Sequence, residues 1–171
     1  MALDITPSTL VDLKPMGWCY RRLLRPLFFL QDSEAAHNRV MQRLACAGRG
    51  RIFADLLETF YSSPELPINC LGLNFPNPIG LAAGMDKAAI ALPIWPRLGF
   101  GFSELGGVTQ QQQPGNESPR MFRAATENAL VNRMGFNNPG ADAMAKTLAT
   151  WRARGKWPTH PVGINLGKSK I

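Results

Sequence analysis

The sequence predicts an α/β chain of consecutive right-handed strand–helix units whose functional groups sit at the carboxyl ends of parallel strands. Three observations predict it. Residues 79–83, Ile-Gly-Leu-Ala-Ala, form an apolar run bounded by Pro78 and Gly84, the pattern of a fully buried strand. Residues 102–106 and 162–166 repeat a strand pattern, with helical segments between the runs. Each run ends in small or polar residues: Gly84 with Lys87, Gly107 with Thr109, Asn165 with Lys168. Function at the carboxyl ends of successive parallel strands is the signature of a (β/α) barrel, of which about three strands are present. The competing arrangement, an open doubly wound sheet, lacks its Gly-x-Gly-x-x-Gly turn here.

At 171 residues the chain can bury a real core, and 45% hydrophobic with 18% charged residues is ordinary for a folded protein. Cys19, Cys46 and Cys70 are odd in number and far apart, which suits reduced core thiols rather than a disulfide or metal site. The net charge of +7 is uneven: between positions 18 and 51 stand seven arginines against two carboxylates, a net of +5. Such a bias suits an anionic membrane surface or nucleic acid. No recognised nucleic-acid motif accompanies it, so no nucleic-acid partner is expected. No apolar run reaches the length of a spanning helix.

In chain order, residues 1–15 carry no periodicity and are expected to form an unstructured tail. Residues 16–65 read as a small helical domain. Its first segment alternates Trp18, Leu23, Leu24, Leu27, Phe28 and Leu30 with Arg21, Arg22 and Arg25. That composition fits a helix lying in a membrane interface, broken or kinked at Pro26. A second helix starts at an Asp32-Ser33 cap and ends near Gly48, with Ala36, Val40, Leu44 and Ala47 as its apolar stripe. His37 lies beside that stripe, where a lone histidine is first of all a packing residue. A further helix over 52–60 has Ile52, Phe53, Leu56 and Leu57 on its apolar side, and 62–67 is a linker.

From residue 66 the pattern is that of the barrel. Residues 68–75 suggest a hairpin turning at Gly72. The strand over 79–83 follows, then an Asp86-Lys87 turn and a helix over 88–98 shortened by Pro93 and Pro96. After the strand at 102–106, a turn at Pro114-Gly115 is expected to join two short strands, the second over 121–123. A polar loop spans 132–138, a helix 141–154, and the last strand 162–166.

Five motifs then become recognisable: Asn77-Pro-x-Gly-Leu-Ala-Ala-Gly-x-Asp-Lys87, Gly99-Phe-Gly-Phe-x-Glu-x-Gly106, Pro114-Gly-Asn-x-x-Pro-Arg-x-Phe-Arg123, Asn132-Arg-Met-Gly-Phe-Asn-Asn138 and Gly163-Ile-Asn-Leu-Gly-Lys168. Together, from about Pro67 to Lys168, they resemble dihydroorotate dehydrogenase. The region ahead of them, including Ser33-Glu-Ala-Ala-His-Asn38, is similar to the membrane-associated, quinone-reducing branch of that family. The resemblance implies the N-terminal portion of a (β/α)8 TIM barrel preceded by a small helical domain. It implies an FMN flavoprotein that oxidises dihydroorotate to orotate in pyrimidine synthesis and passes electrons to a quinone. By motif match, the flavin would be held by Ala83, Gly84, Met85, Asp86, Lys87, Gly107 and Asn165. The substrate would be held by Lys87, Asn132, Arg133, Met134, Gly135 and Phe136, and His37 and Arg123 would line the quinone end. A planar anion with carbonyl and N–H edges suits a lysine and an asparagine-bearing loop. No metal is implied.

Three departures from the family pattern stand out. Gly107 replaces a hydroxyl residue, which removes one side-chain hydrogen bond to the flavin. Ala88-Ala89, Pro93 and Pro96 differ from the polar, proline-free start of the first barrel helix. The chain also stops before the serine that serves as catalytic base in this branch. It is therefore expected to be a truncated barrel, inactive alone, with an unpaired edge after 162–166. The location implied is peripheral, on the cytoplasmic side of a bacterial inner membrane. The alternative is a non-catalytic helical module that binds membranes or anions, attached to a barrel remnant.

Overall fold

The computed structural model describes residues 15–61 and 66–169. All of the expected tail over 1–15 except Pro15, and most of the expected linker, lie outside the described residues.

Helix α1 covers 15–29 in three parts: an α-turn Pro15–Cys19, a π-turn Tyr20–Leu24 and an α-turn Arg25–Phe29. Pro26 has no N–H, and its ring crowds the carbonyl one turn back. The chain does not stop there. It widens instead, with the Arg25 N–H donating five residues back to Tyr20 O. Helix α2, Ser33–Arg49, begins as the sequence indicates: Asp32 Oδ1 accepts the Ala35 N–H at 2.9 Å. Its buried face is made of small residues plus Met41 (Ser33, Ala36, Ala45, Ala47 and Gly48). This lets it approach closely, and a Cβ on Gly48 would sit 3.6 Å from the Pro93 ring. Helix α3, Ile52–Tyr61, differs from expectation. Ala54 is its buried residue and Leu57 is partly buried, while Ile52, Phe53 and Leu56 are exposed. Arg97 pairs with Asp55 at 3.0 Å and with Glu58, tying α3 to the globular part. The thiols are free, but Cys46 and Cys70 are exposed and Cys19 is only partly covered, so they are not core residues.

Strands β1 (Ile68–Cys70) and β2 (Leu73–Phe75) form the expected hairpin. Its two-residue turn has positive φ at both Leu71 (52°) and Gly72 (75°), the primed geometry that matches strand twist. Strand β3 is only Gly80–Leu81, not 79–83. Leu81 alone enters the core, whereas Ile79 and Ala82 are exposed. Gly80 has no room for a side chain, because a Cβ would lie 2.2 Å from the Phe102 ring. Strand β4 (Phe102–Val108) is central, and β7 (Val162–Leu166) lies on its far side. The order is β3-β4-β7 and all pairings are parallel, as the strand–helix alternation predicts. The expected helix over 88–98 is absent; two 3-10 turns, Leu92–Ile94 and Pro96–Leu98, replace it. Pro93 and Pro96 remove the donors that α-helical pairing needs. Strand β5 (Met121–Ala124) pairs with β6 (Ala129–Asn132), the segment after it, rather than with one before Pro114. Helix α4, Ala141–Ala153, returns the chain to β7.

The core gathers Leu92, Ile94, Trp95, Leu105, Met144 and Trp151 beneath the sheet. Both tryptophans bury their N–H with a partner: Trp151 Nε1 donates to Ala89 O at 2.7 Å and Trp95 Nε1 to Asp86 Oδ2 at 3.1 Å. Near the start of β7, His160 is buried between Phe100 O (Nδ1, 2.8 Å) and Ser103 Oγ (Nε2, 3.0 Å). A carbonyl only accepts, so Nδ1 carries the proton and Nε2 accepts the serine hydroxyl. Burial pushes the His160 pKa below its ordinary 6.5, with the Phe100 bond opposing. The unfolded chain therefore binds a proton at mildly acid pH that the native state refuses. His160 contributes stability that is present above about pH 6.5 and lost as pH falls below it. The unfolding midpoint is expected to drop between pH 7.5 and 5 and to drop less in His160→Gln. Part of the slope should remain, since His37 is lowered as well. Identical slopes in the two proteins would contradict this assignment.

Candidate active site at the carboxyl edge of the sheet

The turn after β3 is built to hold the backbone open. Gly84 adopts φ +104°, and nothing lies within 4 Å of where its Cβ would point. Its N–H donates to Gly106 O at 2.6 Å, which ties the end of β3 to the end of β4. Two residues on, Asp86 turns inward and is 1% exposed. Its carboxylate accepts the N–H groups of Ile90 (2.9 Å) and Ala91 (2.9 Å) and the Trp95 indole. Burial pushes its carboxyl up, and those three donors pull it part of the way back. Lys87 then points the other way. It is half-buried, and Nζ donates to Asn137 Oδ1 at 2.5 Å. Burial, and then the charge of Arg120, lower its pKa.

At the end of β4, Gly107 leaves space beside Asn165, whose Oδ1 would lie 3.1 Å from an added Cβ. Asn165 Nδ2 donates to Glu104 Oε1 at 3.0 Å across the two strands. Asn138, buried at the far end of the 132–138 loop, joins three segments. Its Oδ1 accepts the N–H of Thr109 (3.2 Å) and Gly140 (2.9 Å), and its Nδ2 donates to Phe136 O (2.8 Å). Sequence reasoning named neither Asn137 nor Asn138 as a site residue; the signal that could have found them is the doubled asparagine before Pro139-Gly140.

A cavity of about 450 Å³ opens between this edge and helix α2. It brings together His37 and Met41 from α2, Met85, Asp86 and Lys87 from the first turn, and Met134 and Asn137 from the loop. Burial and the charge of Lys87 hold His37 below its usual pKa. Of the other residues singled out by sequence, Ala83, Gly84, Gly107 and Asn165 lie along the carboxyl edge. Asn132 and Arg133 are exposed beside it: Asn132 Oδ1 accepts the Met134 N–H at 3.4 Å, and Arg133 Nη2 donates to Pro119 O at 3.1 Å. Gly135 is partly covered and Phe136 is exposed. Arg123 is not in this cavity. It donates to Gln31 O (2.6 Å) and Phe28 O (3.0 Å) after the last turn of α1, and stacks on Phe29 with Arg25. It lines a second hollow of about 250 Å³ with Tyr20, Arg25 and Asn128.

A parallel sheet with bare backbone and a part-buried lysine at its carboxyl edge is the arrangement in which α/β proteins place ligand sites. The family model for dihydroorotate dehydrogenase matches residues 65–171, and the chain belongs to that family. It is 51% identical over 152 residues to a protein of Gloeobacter violaceus named dihydroorotate dehydrogenase (quinone). It is 48% identical over 161 residues to one of the same name from Thermosynechococcus vestitus. These matches cover 88% and 89% of this chain but only 41% and 43% of the relatives, so the chain spans about two-fifths of their length. Among solved structures it is similar to DHODH from Eimeria tenella in complex with ferulenol, at TM-score 0.67 and 38% identity, over 82% of this chain and 36% of that one. The ligand-free form matches at TM-score 0.64 and 37% identity. The mixed α/β architecture is that of a partial barrel of this type.

Proposed function

We propose that this chain forms the first strands and the access helices of a quinone-type dihydroorotate dehydrogenase. In this reading 66–171 is barrel and 16–65 is the helical domain in front of it. The observation that carries the reading is Lys87: a half-buried amine held by Asn137, facing a cavity beside open glycine backbone. The edge fits a planar ring system, because Gly84 leaves empty space above its backbone and Gly107 adds no side chain beside Asn165. FMN would rest on Ala83, Gly84 and Met85, near Asp86 and Lys87, with Gly107 and Asn165 at its flank. When bound it supplies the two-electron acceptor chemistry, and the protein supplies geometry.

Lys87 pairs with the carboxylate of dihydroorotate, and its contact with Asn137 aims it. The loop carrying Asn132, Arg133, Met134, Gly135 and Phe136 closes over the polar edges of the substrate. No general base is assigned among the described residues. On the other side of the cavity, burial keeps His37 neutral at physiological pH, so it hydrogen-bonds a quinone carbonyl without burying a charge. Arg123 lies outside this cavity and contributes to the quinone end only by fixing the end of α1. The test is orotate formation by the full-length protein containing this chain, with dihydroorotate as donor and a quinone as acceptor. Turnover and tightly bound flavin are expected, and a colourless, inactive protein would refute the reading.

None of the helices among the described residues is long and apolar enough to cross a membrane. Trp18, Leu23, Leu24, Leu27, Ile52 and Phe53 are exposed on α1 and α3, and we assign them to peripheral contact with a bilayer. Arg21 and Arg22 are exposed beside them, whereas Arg25 is turned towards Asn128 at 3.2 Å. At roughly 1 kcal/mol per arginine near an anionic surface, Arg21→Ala with Arg22→Ala should weaken binding to anionic vesicles roughly thirtyfold at low salt. Co-sedimentation measures it, and no change would separate these arginines from the membrane.

A further inference from the structure

Arg120 lines neither cavity, yet its whole guanidinium is engaged. Nε donates to Glu34 Oε2 (2.9 Å) and Oε1 (3.1 Å), and Nη2 donates to Glu34 Oε1 (2.6 Å). Nη1 donates to the carbonyls of Pro114 (2.7 Å) and Asn116 (2.8 Å). The two side chains of the ion pair are 14% and 16% exposed, so this is a partly desolvated fork rather than a solvated surface pair. Between the two carbonyls lies Gly115 at φ +77°, where a Cβ would stand 2.2 Å from Met134 O. Facing it is Gly135 at φ +72°, where a Cβ would stand 2.7 Å from Asn116 N. Asn116 closes the contact: its N–H donates to Met134 O at 3.0 Å and its Nδ2 to Arg133 O at 2.7 Å. The Arg133 N–H returns to Arg120 O at 2.9 Å. Two turns therefore interlock through glycines, with one arginine pinning both to helix α2. The second turn runs directly into Asn137, the acceptor of the Lys87 amine.

We propose that Arg120 is a positioning residue: through Gly115 and Asn116 it fixes the 133–137 loop, and through Glu34 it anchors that loop to α2. The role in substrate binding rests on the reading of Lys87 and this loop as the dihydroorotate site. A lysine at 120 keeps the charge but cannot serve a carboxylate and two carbonyls at once, because the planar fork is lost.

The experiment compares Arg120→Lys and Glu34→Gln with the parent holoprotein. Arg120→Lys should raise KM for dihydroorotate roughly tenfold to a hundredfold, the effect of losing one or two charge-assisted hydrogen bonds. The kcat, the KM for quinone and the flavin content should change little. Amide exchange over 133–137 should speed up in the same variant with no substrate present. Glu34→Gln keeps an acceptor for the fork, so its KM should rise less than that of Arg120→Lys. The proposal is overturned if Arg120→Lys leaves both KM and loop exchange unchanged. It is equally overturned if the rise in KM comes with parallel losses of kcat, flavin content and thermal stability, which is plain loss of structure. The exchange measurement is independent of turnover. A loosened loop in a protein that does not oxidise dihydroorotate would support the positioning and sink the functional reading instead.

Discussion

Under the proposed function, replacing Lys87 by alanine in the full-length protein containing this chain is expected to lower kcat/KM for dihydroorotate roughly 30-fold to several thousand-fold. Lys87 is the cation of the first turn, half-buried and oriented by Asn137 at 2.5 Å. Its lowered pKa shows that the surroundings already disfavour the charge. A substrate carboxylate bound there, as proposed, would supply a counter-charge to it. Removing the lysine would leave the anion unpaired in a water-poor site, which costs about 2–5 kcal/mol, and each 1.36 kcal/mol is a factor of ten in rate. Flavin content should fall less, because the backbone of Ala83 and Gly84 is untouched by the substitution. The two measurements are steady-state efficiency and the flavin-to-protein ratio. Near-normal efficiency with flavin retained would make Lys87 an ordinary turn residue.

The largest effect on folding is expected at Asp86. Asp86→Ala leaves three buried donors without an acceptor, namely the N–H groups of Ile90 and Ala91 and the indole of Trp95. Each orphaned donor costs about 1–3 kcal/mol. Even with relaxation, a total near 4 kcal/mol is a large share of the 5–15 kcal/mol that typical domains possess. Asp86→Asn should cost less. Its amide oxygen can take the place of Oδ2 and keep the Ala91 and Trp95 bonds, with a donor–donor clash only towards Ile90. Denaturant midpoints should fall in the order parent, Asn, Ala. Equal midpoints for the two variants would mean that the pairing direction is irrelevant. The carboxylate also sets where Lys87 begins, so the turn and the core are secured by one group.

Much of this arrangement was legible in the sequence. Parallel order follows from apolar runs alternating with helical segments, and the Asp32 cap and α4 from standard helix signals. What was hidden depends on partners distant in the chain. The run 79–83 reads as buried, but among the described residues β3 pairs only with β4, Phe102 lies across Gly80, and only Leu81 finds a core. Two prolines at 93 and 96 weaken a helix by sequence, yet only Asp86 and Trp95 explain why the segment still packs as 3-10 turns. The face of α3 is inverted relative to its hydrophobicity, which a periodicity argument cannot detect: the pattern marks an apolar side but not whether it meets the core or the solvent. The Glu34–Arg120 pair spans 86 positions, and no local signal joins its ends.

The measurement that tests the central assignment most directly is an anaerobic visible-absorbance experiment on the full-length protein containing this chain. Addition of dihydroorotate should bleach the flavin absorbance, and a quinone added afterwards should restore it. A protein that binds flavin whose absorbance dihydroorotate leaves unchanged, or one that binds none, would contradict the assignment of this carboxyl edge as a dihydroorotate site.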